Sequence, residues 1–165
     1  MVRKAAVDDV ARIAEIHVTG WRFAYRHLIS EEFLFKTMNV PQRIAAFTKS
    51  IEEQKGDTYV FEENQIVKGF ITIGPCRDAD KSSSFELWGI YVDPFMVRNG
   101  IGSKLLNYCE QKASELGYND IVLWVLEGNS IGINFYTKKG FAFEGGRKLL
   151  DKFGIYEIRY QKRIG

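Results

Sequence analysis

Ile90-Tyr91-Val92-Asp93-Pro94-Phe95-Met96-Val97-Arg98-Asn99-Gly100-Ile101-Gly102-Ser103-Lys104-Leu105-Leu106 joins a run of β-formers, a short loop with two glycines and the start of a helix. The strand reading rests on the β-branched and aromatic residues up to Val92 and on Pro94, which cannot continue a central ladder. From Ile101 onward the apolar residues Leu105, Leu106, Cys109, Ala113 and Leu116 recur at helical spacing, and Gly117 closes the stripe. Such a strand–loop–helix aims unpaired backbone N–H groups at one point, where the helix dipole also favours an anion. Glycine at 100 and 102 lets a phosphate approach without a clashing Cβ, while Arg98 adds charge and Ser103 a hydroxyl donor. Read alone, Asn99-Gly100 is also a simple turn signal. A Rossmann fingerprint fails because Leu105 stands where the third glycine belongs, and a Walker A loop fails because Gly102-Ser103-Lys104 inverts the Gly-Lys-Ser/Thr order.

Upstream of this loop, Val2–Ala6 reads as a short strand, and Asp8 as the N-cap of a helix carrying Val10, Ile13, Ala14 and His17. The aromatic-rich segment 21–34 reads as helical in pieces, and a second helix runs from about Pro41 to Gln54. Thr58–Glu62 and Ile66–Ile73 form a hairpin across Glu63-Asn64-Gln65, and Phe85–Val92 follows a serine-rich turn. Downstream, Ile121–Leu126 is a nearly all-apolar strand, suggesting burial on both faces. Asn129–Lys139 is a helix capped by Asn129 or Ser130 and ended by Gly140, and Phe141–Phe143 and Tyr156–Tyr160 are final strands. Strands dominate early and alternate with helices late, the order of an α+β or α/β layered fold with a mixed sheet.

Composition narrows the function classes. The chain has 165 residues, 45% of them apolar and 27% charged, a length and balance that suit one domain over 1–165 with a real core. With 23 basic and 21 acidic side chains, a net charge of +2 gives no case for a nucleic-acid surface. Cys76 and Cys109 lie far apart and near no histidine pair, so neither a zinc site nor a disulfide framework is expected. No apolar run suits a signal peptide or a membrane span, so the expected setting is the reducing cytoplasm, with no membrane partner. Cys109 falls on the apolar stripe and reads as core; His17 and His27 are lone imidazoles without a metal partner.

The loop resembles the pyrophosphate motif of the GCN5-related N-acetyltransferases, Arg/Gln-x-x-Gly-x-Gly/Ala. Val97-Arg98-Asn99-Gly100-Ile101-Gly102 matches it except at the first position, where Val97 replaces Arg or Gln and Arg98 offers the charge one place later. A second likeness lies downstream. Asn129-Ser130-Ile131-Gly132-Ile133-Asn134-Phe135-Tyr136-Thr137-Lys138-Lys139-Gly140-Phe141 is similar to the family's Asn-x-x-Ala-x-x-Phe-Tyr-x-x-x-Gly-Phe, departing mainly by Gly132 for Ala. The close resemblance covers about Phe85 to Phe143, and a looser one the His17–Tyr25 region and the central hairpin.

This resemblance implies a mixed, mostly antiparallel central sheet flanked by helices, and an acetyl-CoA-dependent N-acetyltransferase that uses no metal. The acceptor would be a primary amine of a small molecule or peptide, attacking directly in a ternary complex; a homodimer is also implied as possible. The pyrophosphate would lie on Val97, Arg98, Asn99, Gly100, Ile101, Gly102 and Ser103. Backbone groups of Ile90, Tyr91 and Val92 would hold the pantetheine, and one of their N–H groups would polarise the thioester carbonyl. Asn129 would contact the pantetheine or act as the helix cap. An alkyl amine is about as basic as lysine, near pKa 10.4, so a proton must be removed before attack. The family's carboxylate position, which acts directly or through water, falls on Glu86, the expected base, and its tyrosine on Tyr136, the expected acid for the leaving thiolate. Glu86 also reads as a solvated strand-edge residue, and Tyr136 as a buried aromatic. Trp21, Phe23, Tyr25 and Phe33, with Glu31 and Glu32, either line the acceptor pocket or form a local aromatic cluster. Two rivals stand beside the enzyme: a non-catalytic acetyl-CoA-binding module of the same fold, and a nucleotide-binding enzyme using the glycine loop for other phosphates.

Overall fold

The computed structural model describes residues 1–165. The elements in chain order are β1 (Val2–Lys4), α1 (Val10–Tyr25), α2 (Val40–Glu52), β2 (Asp57–Glu63), β3 (Ile66–Pro75), β4 (Phe85–Val92), α3 (Ile101–Glu115), β5 (Asp120–Leu126), α4 (Ser130–Lys138), β6 (Ala142–Leu150) and β7 (Ile155–Arg163). The seven strands form one sheet in the order β1-β2-β3-β4-β5-β7-β6. Every neighbouring pair is antiparallel except β4–β5, which the α3 crossover makes parallel. The mixed, mostly antiparallel sheet expected from the sequence is present.

Side-chain alternation assigns the two faces. Phe85, Leu87, Ile121 and Leu123 point to the α3 and α4 side, where they pack with Leu105, Leu106, Cys109 and Tyr136. On the opposite face Ile13 and Ile16 of α1 pack against Val60, Val67 and Phe70, with Phe47 of α2 beside them. Each fully buried Leu or Ile contributes about 1.5–3 kcal/mol by leaving water, so these two layers carry most of the fold's apolar stabilisation.

Several boundaries differ from the sequence reading, each for a local reason. A turn of 3-10 helix at Val7–Asp9 precedes α1, and the carboxylate at its entrance belongs to Asp9, not Asp8. Asp9 accepts from the Ala6 N–H at 2.8 Å and pairs with Arg3. Helix α1 runs straight through Gly20 to Tyr25; a Cβ at Gly20 would lie 3.2 Å from the Tyr91 ring, so glycine here sets how closely α1 approaches β4. Phe33–Thr37 forms one π-helical turn rather than a longer helix. The last two strands are longer than the sequence suggests. Gly145-Gly146 breaks the alternation of β6, and the register with β7 shifts between Phe143 and Arg147.

The feature that builds the site lies between β4 and β5. They pair only at Phe85↔Ile121, Glu86↔Val122 and Leu87↔Leu123, although β4 continues to Val92 and β5 to Leu126. A bulge at Trp88 starts the divergence: Thr72 of β3 faces Gly89, the next residue Ile73 faces Leu87, and Trp88 has no partner. Beyond it, the β5-facing backbone edge of Gly89–Val92 has no neighbouring strand.

Candidate active site

A cavity of about 910 Å³ occupies this split and is lined from both faces of the sheet. On the α3–α4 side lie the glycine loop, Asn129, Phe135 and Tyr136; on the α1 side lie Trp21, Tyr25, Tyr91, Trp124 and Glu157. The cavity thus passes through the sheet, with the free edge of β4 along its middle.

The glycine loop owes its shape to its own backbone. Arg98 and Gly100 both take left-handed conformations, with φ of 67° and 73°. Glycine tolerates this freely, whereas Arg98 is held there at a cost of order 1–3 kcal/mol. Successive N–H groups in such a turn converge into an anion-binding nest, which here runs directly into the N-terminus of α3. The start of the loop is anchored by Asp93, which accepts from the Phe95 N–H at 2.9 Å and pairs with Arg12 of α1. Arg12 also donates to the Val67 carbonyl at 3.1 Å, so loop, helix and sheet are tied at one point.

Tyr136 enters the cavity from α4. Asn129 caps that helix, its side-chain oxygen accepting from the Gly132 N–H at 3.0 Å, and Asn129 also lines the cavity. The Tyr136 side chain is 9% exposed and no protein hydrogen bond engages its hydroxyl. Burial, followed by the neighbouring Tyr91 and Cys109, pushes its pKa well above the usual phenol range, which keeps the hydroxyl protonated.

Of the residues singled out in the sequence, Ile90, Tyr91, Val92, Val97, Arg98, Gly100, Ile101, Gly102, Ser103, Asn129 and Tyr136 line this one cavity. Asn99 does not; it is exposed. Glu86 does not reach the cavity either. It is 1% exposed, and its carboxylate accepts from the Arg77 backbone N–H at 2.9 Å and from the Arg77 guanidinium through both oxygens. The reason is the bulge at Trp88. Glu86 precedes it, in the stretch where β4 and β5 are still zipped, so its side chain lies under the β3–β4 loop and away from the split. In this structure Arg77 occupies both carboxylate oxygens, so Glu86 makes no direct contact with the cavity.

Trp21, Phe23 and Tyr25 line the α1 side, while Phe33 packs instead on Phe153 at 4.7 Å and Glu31 and Glu32 stay outside. Trp88, Trp124, Phe135, Leu150 and Glu157 also line the cavity and were not read from the sequence. Trp124 and Phe135 sit in segments whose apolar pattern signals core. Glu157 lies at the start of β7, where no local motif singles it out. His17 is buried beneath Tyr91, at 4.7 Å between ring centroids, and burial with Arg43 nearby pushes its pKa down to about 3. It is therefore a neutral packed imidazole outside the cavity. Burial likewise pushes the Cys109 thiol up to about 12, as befits a core residue.

The model of the acetyltransferase (GNAT) family matches residues 13–141 of this chain. The uncharacterized N-acetyltransferase YuaI of Bacillus subtilis is 29% identical over 99% of this chain and 90% of its own length. The spermidine N(1)-acetyltransferase of Thermoplasma acidophilum is 25% identical, over 87% of this chain and 88% of its own. The L-amino acid N-acyltransferase MnaT of Escherichia coli is 27% identical, over 86% and 78%. Among solved structures, the PaiA N-acetyltransferase from Thermoplasma acidophilum in complex with coenzyme A superposes with a TM-score of 0.77 at 22% identity, covering 99% of this chain and 98% of that one.

Proposed function

The chain belongs to the acetyltransferase (GNAT) family and is an acyltransferase, and we propose that it moves an acetyl group from acetyl-CoA to a primary amine by direct attack within the cavity. The observation that carries this reading is the split between β4 and β5. It sets an anion nest on one face of the sheet, an aromatic pocket on the other, and a free strand edge between them. The likeness in fold to a protein solved with coenzyme A supports the choice of donor. The names of the relatives, one acting on spermidine and one on L-amino acids, support an amine acceptor.

The donor supplies a thioester carbonyl as electrophile and a thiolate as leaving group. The residues present fit it. The nest of Val97–Ser103 suits a pyrophosphate, and the unpaired edge of Gly89–Val92 can accept an amide-bearing arm as an added strand. An N–H on that edge would stabilise the developing oxyanion. The acceptor ammonium first gives up one proton to solvent water, and the neutral nitrogen then bonds to the carbonyl carbon. As the C–S bond breaks, Tyr136 gives its hydroxyl proton to the departing sulfur, and the phenolate is reprotonated by the second proton lost from nitrogen. One proton is released overall.

Thermal unfolding with acetyl-CoA, CoA, ATP and NAD tests the donor. A ligand at about one hundred times its Kd stabilises by roughly 2.7 kcal/mol, about 5–10 °C for a chain of this size. That shift with the two coenzyme A species alone, together with thiol release on adding amines, is the expected result. No shift with either would remove the reading, and a shift without thiol release from any amine would leave only a binding module.

A further inference from the structure

We infer that Glu157 selects the acceptor, and that the cavity takes a cationic amine carrying no carboxylate beside its nitrogen. The inference rests on the acetyltransferase reading above and goes beyond it by naming the acceptor class and the residue that recognises it.

Only two charged side chains line the cavity, Arg98 in the glycine loop and Glu157 in β7. They lie on opposite sides of the split. Ile158, next to Glu157, packs toward the α3–α4 core, so alternation turns Glu157 to the α1 face. In register, Glu157 stands opposite Leu126 of β5 on one side and Lys148 of β6 on the other. The acceptor side of the cavity thus holds one carboxylate and no cationic lining residue. The rest of its wall is aromatic or aliphatic: Trp21, Tyr25, Tyr91, Trp124 and Leu150.

The carboxylate is also weakly partnered. Its one ionic neighbour is the Lys148 ammonium at 3.5 Å, on a side chain that is 46% exposed and also lies over the Trp124 ring at 4.0 Å. No hydrogen bond reaches it at shorter range, in contrast to Glu86, which Arg77 saturates. Tyr25 of α1 and Tyr91 of β4 are near enough to feel its charge, and burial keeps both phenols protonated. A half-buried carboxylate with one long ion pair, facing an aromatic wall, is complementary to an ammonium on an apolar body. An α-amino acid would bring its own carboxylate beside Glu157, where Lys148 is already paired and no cationic side chain lines that side of the cavity, so like charges would meet.

The test uses acceptor pairs that differ by one carboxylate: 2-phenylethylamine against L-phenylalanine, and 1,4-diaminobutane against L-ornithine. Thiol release from acetyl-CoA is followed for each. We expect kcat/KM to favour the carboxylate-free member of each pair by about tenfold or more. Glu157→Gln should raise KM for the amines about tenfold and shrink the discrimination, while the thermal shift on adding acetyl-CoA stays as in the wild type. Lys148→Met, which removes the competing ammonium, should lower the same KM, a change opposite in sign that a merely structural role would not produce. Equal efficiencies within the pairs, a preference for the amino acids, or an unchanged KM in Glu157→Gln would overturn the inference and leave acetyl transfer standing. A coenzyme A thermal shift with no thiol release from any amine would remove both.

Discussion

At Tyr136 two demands meet in one side chain. It packs against Phe135 and Phe141 as a core aromatic would, yet it also lines the cavity and its hydroxyl has no protein partner. In the proposed reaction, a protonated phenol beside the departing sulfur would be worth about 100-fold as a general acid. Tyr136→Phe should therefore lower kcat by about that factor with little change in acetyl-CoA affinity, read by steady-state thiol release and by thermal shift. His17 makes the opposite case, a titratable group kept from titrating. Its folded pKa of about 3 lies below the unfolded value near 6.5, so the folded state favours the neutral ring. The unfolded chain then binds the extra proton, and stability is lost as pH falls through that window. One proton changes stability by about 1.4 kcal/mol per pH unit there, so about 2 kcal/mol goes between pH 7 and pH 5. His17→Leu should lose about 2 kcal/mol less than the wild type over that range, measured by urea unfolding at both pH values.

Among the elements, α3 joins the binding loop to the core. Its first turn carries the nest, while Leu105, Leu106, Cys109 and Ala113 are fully buried against the sheet. Leu105→Ala should cost about 2–5 kcal/mol, as large-to-small core changes do, and lower Tm with m little changed. Gly100→Ala tests the other end of the same helix. No atom lies within 4 Å of a Cβ built there, so any penalty comes from the φ of 73° and not from crowding. The expected loss is about 1 kcal/mol of stability, together with weaker coenzyme A binding in calorimetry as the nest relaxes.

For the whole molecule, the β3–β4 loop is what closes the open face of the sheet beyond α1 and α2. Arg159 of β7, 6% exposed, pairs there with Asp78 and Asp80 of that loop and with Glu144 of β6. Asp78 in turn accepts from the Trp124 indole at 2.8 Å, so this network also holds one wall of the cavity. Removing one member of a buried ionic network leaves charge uncompensated. Arg159→Met should thus destabilise by about 3 kcal/mol in denaturant titration and raise the acceptor KM through the loosened Trp124 wall. The binding loop lies on the other side of the split, so acetyl-CoA affinity should change far less.

Much of this protein was legible in its sequence because the signals are local. The glycine loop, the apolar stripe of α3 and the Asn129 cap each act over a few residues, and each is written in residue type and spacing. The Asn64-Gln65 turn, with both φ values positive, closes the β2–β3 hairpin in the same way. Tertiary structure decided what depends on residues far apart in the chain. The bulge at Trp88 and the parting of β4 from β5 are properties of three strands together, and they moved Glu86 under Arg77 and out of the cavity. Glu157 became the one acidic residue lining the cavity only because β7 inserts between β5 and β6. Local spacing specifies where a backbone turns and which face is apolar. Which polar side chains find partners, and which are left facing a cavity, is set when distant strands take their register.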